Sequence, residues 1–369
     1  MHWRTPLRNI RKTALGGLAT LGVAALLAGC ASAPEEGPAE SGEATADISP
    51  CIVSDAGGFN DQSFNQLGLE GLQAASEELG VEYTQAESQS ETDYQSNIQN
   101  LLDGGCDMMV TVGFLLAEAT SAAADANPDV NFAIIDDSSI TADNVQPITF
   151  DTAQAAFLAG YAAAASTQTG TIATWGGINI PPVTIFMDGF VLGAQYYNEQ
   201  NGADVQVLGW DVDAQDGTFV GAFEAGPAAN ATATTFLQQG ADIVMPVGGP
   251  IFLSAGEAIR TAQAENPDVR YGMIGVDADL SLTAPDYADL FVTSVLKGMD
   301  AGVEAVVLED AAGDFTSEPY VGTLENDGVG IAPFNEWEDQ VPEGLADELE
   351  TIRTAIIAGD IVVDSPSSP

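Results

Sequence analysis

From Pro50 onward, short apolar runs alternate with longer stretches whose apolar positions recur at helical spacing. Cys51 to Ser54 is short, apolar and β-branched at its centre, which suits a buried strand, and Asp55 ends it. The next residues, Ala56-Gly57-Gly58-Phe59-Asn60-Asp61, break the strand, because paired glycines favour a turn and Asn60 or Asp61 can cap a helix. A helix is predicted from about Gln62, with Phe64, Leu67, Leu72 and Ala75 facing inward and Gln66, Glu70 and Gln73 facing outward or toward a cleft. The pattern then repeats. Val81 to Thr84, Met108 to Val112, Phe132 to Ile135 and Ile148 to Phe150 predict strands; Tyr94 to Asp103, Leu116 to Ala126 and Ala153 to Ser166 predict helices. A second set follows, with strands at Thr171 to Thr174, Val205 to Trp210, Ile243 to Pro246 and Met273 to Val276, and helices at Met187 to Asn201, Pro227 to Gln239 and Leu253 to Glu265. Strands and helices alternating at this spacing predict an α/β protein with parallel sheets covered on both faces.

The second set echoes the first. Gly105-Cys106-Asp107 with Val110 has its counterpart in Gly240-Ala241-Asp242 with Val244, and Asn127-Pro128-Asp129-Val130 recurs unchanged at Asn266 to Val269. Each copy of the latter leads into a strand ending in Asp. Two doubly wound lobes joined by a hinge follow from this repeat, and their ligand-binding ends would face one cleft, with Asp55 and Asp136 on one wall and Asp277 on the other. Asp55, Asn60, Asp61, Phe64 and Asn65 gather where a strand end meets a helix start; the same residues also fit an ordinary strand-to-helix turn with a capping Asp and a core Phe. The strand Phe291 to Lys297, the helix Gly298 to Glu309, the stretch Tyr320 to Ile331 and the helix Gly344 to Ala358 imply more than one crossing between lobes. The expected division is residues 50–150 with 298–320 in one lobe and 151–297 with 321–360 in the other.

Residues 1–29 carry Arg4, Arg8, Arg11 and Lys12 and then an uncharged run from Thr13 to Gly29, which reads as a secretory signal. It ends in Leu27-Ala28-Gly29-Cys30, which resembles a bacterial lipobox and would make Cys30 a lipidated N-terminus; an ordinary signal peptide with an incidental Cys is the other reading. Residues 30–49 are rich in Pro, Gly, Ser, Ala and Glu and are expected to be a flexible tether. Without the signal, four cations stand against 55 acids, a net charge of −51. Such a surface repels phosphates, so nucleic acid is not an expected partner. The one histidine, His2, lies in the signal, so no imidazole remains for a hydrolase base or for zinc, and there is no Walker A or strand-linked dinucleotide motif. No metal and no cofactor are expected. Abundant Asp and Glu leave carboxylate-dependent glycoside hydrolysis open but make any one pair uninformative. Cys51 and Cys106 each begin a predicted strand, and if those strands are parallel neighbours the sulfurs share an edge; export permits a disulfide between them.

Lys297 is the sole lysine after the signal, set between an apolar strand and Gly298. It is read either as the partner of a buried carboxylate or as a donor to ligand hydroxyls with Asp277 as acceptor. Together with Gly57-Gly58-Phe59-Asn60-Asp61-Gln62-Ser63-Phe64-Asn65, Val112-Gly113-Phe114, Ile135-Asp136, Asp188-Gly189-Phe190, Gly248-Gly249, Ile274-Gly275-Val276-Asp277 and Ser294-Val295-Leu296-Lys297, this residue gives the chain a resemblance to the basic membrane protein family of bacterial lipoproteins, the purine nucleoside receptor A type. The resemblance runs from about Cys51 to Phe334 and implies a type I periplasmic-binding-protein fold, a nucleoside in the interlobe cleft, no enzymatic activity, and delivery to an ABC permease by a monomer anchored outside the cell membrane. It places base-facing acids at Asp55 and Asp136, stacking aromatics at Phe64 and Phe223, and ribose contacts at Asp277 and Lys297. Asp61, Asn65 and Gly249 complete the expected ligand set; Trp175, Phe114 and Phe190 are further candidates, the two phenylalanines fitting core as well. The segment Gly177 to Val183, with Pro181-Pro182, departs from the basic or polar segment the resemblance implies. A sugar or other polyol in the same fold, and an exported nucleoside hydrolase, are the competing functions.

Overall fold

The computed structural model describes residues 48–369; the signal, Cys30 and nearly all of the tether lie outside them. The first sheet is built from β1 (Pro50–Val53), β2 (Thr84–Ala86), β3 (Met108–Val112), β4 (Asn131–Ile135) and β5 (Val145–Phe150), with helices α1 (Phe64–Leu79), α2 (Tyr94–Asp103) and α3 (Ala117–Ala126) between them. Its strand β2 starts three residues after the predicted Val81, because Gly80 ends α1 in the left-handed conformation (φ 67°) and the Val81 amide folds back onto the Ser76 carbonyl. The chain then enters a second layer through α4 (Thr152–Ser166), β6 (Thr171–Gly176), α5 (Pro181–Asn201) and β7 (Gln206–Leu208). A small hairpin, β8 (Trp210–Asp211) and β9 (Asp216–Gly217), precedes α6 (Pro227–Gln238), β10 (Ile243–Val247), α7 (Ile251–Glu265), β11 (Gly272–Asp277), α8 (Leu280–Thr283) and β12 (Phe291–Lys297). The ending runs α9 (Met299–Ala311), β13 (Tyr320–Gly322), β14 (Val329–Ile331) and α10 (Leu345–Ile357).

Two six-stranded sheets result, in the orders β13-β5-β4-β3-β1-β2 and β14-β12-β11-β10-β6-β7. All pairs within them are parallel except β12 with β14. The central strands β3, β10 and β11 are buried along their whole length, as continuous apolar runs covered on both faces require. Because β13 joins the first sheet and β14 the second, the chain passes between sheets after β5, after β12 and after β13. The same strand order in both sheets is the structural counterpart of the sequence repeat. Parallel pairing of β1 with β3 aligns Cys51 with Met109, so Cys106, just ahead of β3, meets Cys51; the two sulfurs are bonded, with Cα atoms 6.0 Å apart.

Helix α5 begins at Pro181, six residues before the predicted Met187. Prolines at its first two positions lack only N–H groups that would be unpaired there, and their fixed φ suits a helix start. Small residues decide how α5 meets the almost wholly buried α4. A Cβ on Gly160 would lie 2.1 Å from the Phe190 carbonyl oxygen, and one on Gly193 would lie 2.0 Å from that of Phe157, so the two backbones touch.

Candidate functional site

The carboxyl ends of both sheets open into one cavity of about 590 Å³, its mouth included. This is the crevice where parallel strands end and helices begin, the usual ligand position in such sheets. Asp55, Asp61, Phe64, Asn65 and Asp136 line it from the first sheet's side, and Phe223, Gly249, Asp277 and Lys297 from the second's. Asp136 and Asp277 occupy matching positions at the ends of β4 and β11, and both are left-handed, with φ of 66° and 68°. A non-glycine residue in that conformation is strained, and Asp tolerates it better than most because its short side chain bonds locally. The repeated Asn-Pro-Asp-Val segment therefore delivers two equivalent carboxylates to opposite walls.

The carboxylates differ in what occupies them. Asp61 accepts from the amides of Ser63 and Gln66 at 3.1 Å each, from the Asn65 amide at 2.8 Å and from the Asn65 side chain at 3.3 Å. It caps α1, while Asn60 is exposed. Asn65 donates to Asp55 Oδ1 at 2.7 Å and accepts from the Asp55 amide at 3.2 Å, so its amide side chain is consumed in orienting Asp55. With Gly57 N–H also on Oδ1, Asp55 turns an otherwise unoccupied Oδ2 toward Gly113 and Phe64. Asp61 and Asn65 thus belong to the cavity wall as groups that hold Asp55.

Lys297 is 3% exposed, and its ammonium donates to Asp136 Oδ2 at 2.5 Å, while Asp277 Oδ1 is 4.0 Å away. Its nearest carboxylate is Asp136 on the opposite wall, which is the buried carboxylate that the sequence reading left unnamed. The rings of Phe64, Phe150 and Phe186 surround the ammonium at 5.1, 5.5 and 5.6 Å from their centroids, within cation–π range. Burial pushes the carboxyls of Asp55, Asp61 and Asp136 above the ordinary range, and Lys297 opposes the rise at Asp136. Asp277 is pushed up to about 6 by burial first, with Lys297 drawing it down and the charges of Asp136 and Asp61 adding to the rise.

Of the aromatic candidates, Phe64 and Phe223 are half-buried and line the cavity, and Phe223 lies against Gly177 and Gly248, where an added Cβ would come within 2.4 and 2.8 Å of its ring. Phe114 also lines the cavity. Trp175 and Phe190 do not: both are fully buried, Trp175 stacked on Phe236 at 5.4 Å. Phe186 and Ser63 are among the contributors that sequence reasoning did not find. Phe186 reaches the cavity because α5 starts early, and the prolines at its start were the available signal. Ser63 donates across the cleft to the Val276 carbonyl (3.1 Å) and the Asp277 carboxylate (3.3 Å), a contact across 213 and 214 positions of sequence that no local pattern encodes.

Two parallel sheets presenting their carboxyl ends to a shared, acid-lined, partly aromatic cavity define a solute-binding protein of the type I periplasmic fold. The chain belongs to the family of PnrA-like ABC transporter substrate-binding proteins, whose model matches residues 48–365. It is 32% identical to the ABC transporter nucleoside-binding protein BmpA of Lactococcus lactis subsp. cremoris (strain MG1363), over 96% of this chain and 99% of that one. Basic membrane protein A of Borreliella burgdorferi (strain ATCC 35210 / DSM 4680 / CIP 102532 / B31) is 30% identical, over 84% of this chain and 86% of its own. Among solved structures, a solute-binding protein of an ABC transporter system from Aeropyrum pernix K1 superposes with a TM-score of 0.76 at 27% identity, covering 86% of this chain and 94% of that one. As a substrate-binding component of an ABC transporter, the protein has a ligand and a transporter as partners and acts outside the cytoplasm.

Proposed function

We propose that the protein captures a purine nucleoside in the interlobe cavity and delivers it unchanged to an ABC permease, as a monomer tethered to the cell membrane through a lipidated Cys30. The observation that carries this reading is the presence, on the walls of one cavity, of aromatic side chains together with carboxylates that have oxygens to spare. Phe64 and Phe223 offer faces to a flat base, Asp55 and Asp136 accept from base N–H groups, and Asp277 with Lys297 suits a ribose diol, one accepting and one donating. Asp61 and Asn65 hold Asp55, and Gly249 leaves room at the α7 end. The name of the Lactococcus lactis relative supports the ligand class.

The test is mass spectrometry of the small molecule released when freshly purified, undialysed protein is denatured. A purine nucleoside at close to one per chain is the expected result. A sugar in its place overturns the base-stacking roles, and conversion of added nucleoside to free base overturns the carrier role. Mass analysis of the mature N-terminus, expected to begin at a diacylglyceryl-modified Cys30, tests the anchor.

A further inference from the structure

Helices α1, α5 and α7 turn their N-terminal ends into the cavity. Such ends attract anions, because their first amides are unpaired and the helix dipole is positive there. In this chain the ends of α1 and α5 are largely disarmed. At α1, the amides of Ser63, Asn65 and Gln66 are taken by the Asp61 carboxylate, which also brings a negative charge. At α5, Pro181 and Pro182 carry no N–H, and the amides of Val183 and Thr184 both donate to the Ile180 carbonyl at 3.0 Å, which leaves the first turn without a donor. At α7, Pro250 carries no N–H and the Leu253 amide donates to the Pro250 carbonyl at 3.1 Å, while the amides of Gly249 and Phe252 have no partner among the described residues. Lys297 is the one cation among the described lining residues, and Asp136 already holds it at 2.5 Å. Asp55 Oδ2 and Asp136 Oδ1, by contrast, have no donor among the described residues.

We infer that Asp61, Pro181 and Pro182 determine specificity by making the cavity a filter against anions, so that a nucleoside is held and its 5′-phosphate is refused. The inference rests on the nucleoside reading for the ligand's identity and on the cavity's own groups for the exclusion. An anion would meet unpaired carboxylate oxygens between the starts of α1 and α5, whose amides are mostly taken or missing, and burial strengthens that repulsion. Where phosphorylated nucleosides are the source outside the cell, hydrolysis of a phosphate monoester must come before capture.

Equilibrium binding to the purified full chain tests this with adenosine, AMP and 5′-deoxy-5′-methylthioadenosine, whose 5′ group is bulky but uncharged. Adenosine and the thioether are expected within about tenfold of each other and AMP at least about a hundredfold weaker, a gap set by charge. Refusal of both 5′ derivatives makes size the criterion and overturns the inference, as does AMP binding within about tenfold of adenosine. In the triple variant Asp61→Asn, Pro181→Ala, Pro182→Ala, the AMP-to-adenosine affinity ratio is expected to rise by about tenfold; an unchanged ratio overturns the assignment to these residues. Ribose and ribose 5-phosphate separate the two readings. If no nucleoside binds but ribose does and its phosphate does not, the nucleoside reading falls and the filter stands.

Discussion

Lys297 pairs with a buried carboxylate and lines the cavity at once. Replacing it with Ala should weaken nucleoside binding by roughly 1.5–3 kcal/mol, the range for a hydrogen bond to a charged group, read by calorimetry. The structure adds a second consequence. Without Lys297, Asp136 is buried with no counter-charge and must take up a proton to remain so. The variant should therefore lose more stability at pH 8 than at pH 5, and melting curves that shift equally at both would show that Asp136 does not need Lys297 as a counter-charge. Asp277 gives a related expectation with a stated window. Its carboxyl is raised in the folded state to about 6, so the stability it contributes is complete below its unfolded value of 3.8 and is lost as pH rises through 6. Asp277→Asn should gain on the wild type between pH 4 and pH 7.5, by at most about 3 kcal/mol in urea unfolding. Nucleoside affinity of the wild type should fall below pH 6, where the acceptor becomes a neutral acid.

At the scale of the element, helix starts and helix contacts carry the design. Asp61 rather than Ser63 satisfies the first turn of α1, and by doing so it frames Asp55 through Asn65. The α4 and α5 pair depends on glycine for a different reason, closeness of approach. Gly193→Ala would force a methyl to within 2.0 Å of the Phe157 carbonyl oxygen. An overpacked core of this kind costs about 1–3 kcal/mol or more, so chemical denaturation should show a clear loss, and a variant as stable as the wild type would mean the helices can part without penalty.

Across the whole molecule, the lobes are clasped by polar contacts at the cavity edge. Ser63 reaches Val276 and Asp277, Lys297 reaches Asp136, and Thr283 donates at 2.8 Å to the carbonyl of Gln62, itself a strained left-handed residue (φ 61°). If the lobes hinge about the three chain passages between the sheets, these contacts would hold the closed form. The double variant Ser63→Ala, Thr283→Val should release nucleoside about tenfold faster with association little changed, because the lost bonds exist only after closure. Stopped-flow release at the wild-type rate would remove the clasp from the binding cycle.

The alternation of apolar runs and amphipathic stretches determined the α/β class, the twin lobes and most element positions, since each depends on local periodicity and on a repeat visible within the chain. Helix α2 and strand β3 match their predicted bounds. Local pattern also drew Asp55, Asp136 and Asp277 to strand ends, because a polar residue closing a parallel strand must sit at the sheet's edge. The start of α5 was missed because Pro-Pro reads as a break in sequence and as a favourable helix opening in three dimensions, and Phe186 was missed with it. Which acid Lys297 chooses, how Asp61 and Asn65 are spent, why Trp175 is core and what Ser63 reaches were decided only by tertiary structure. Each depends on distances between groups scores of residues apart, set by the packing of two sheets rather than by any run of neighbours.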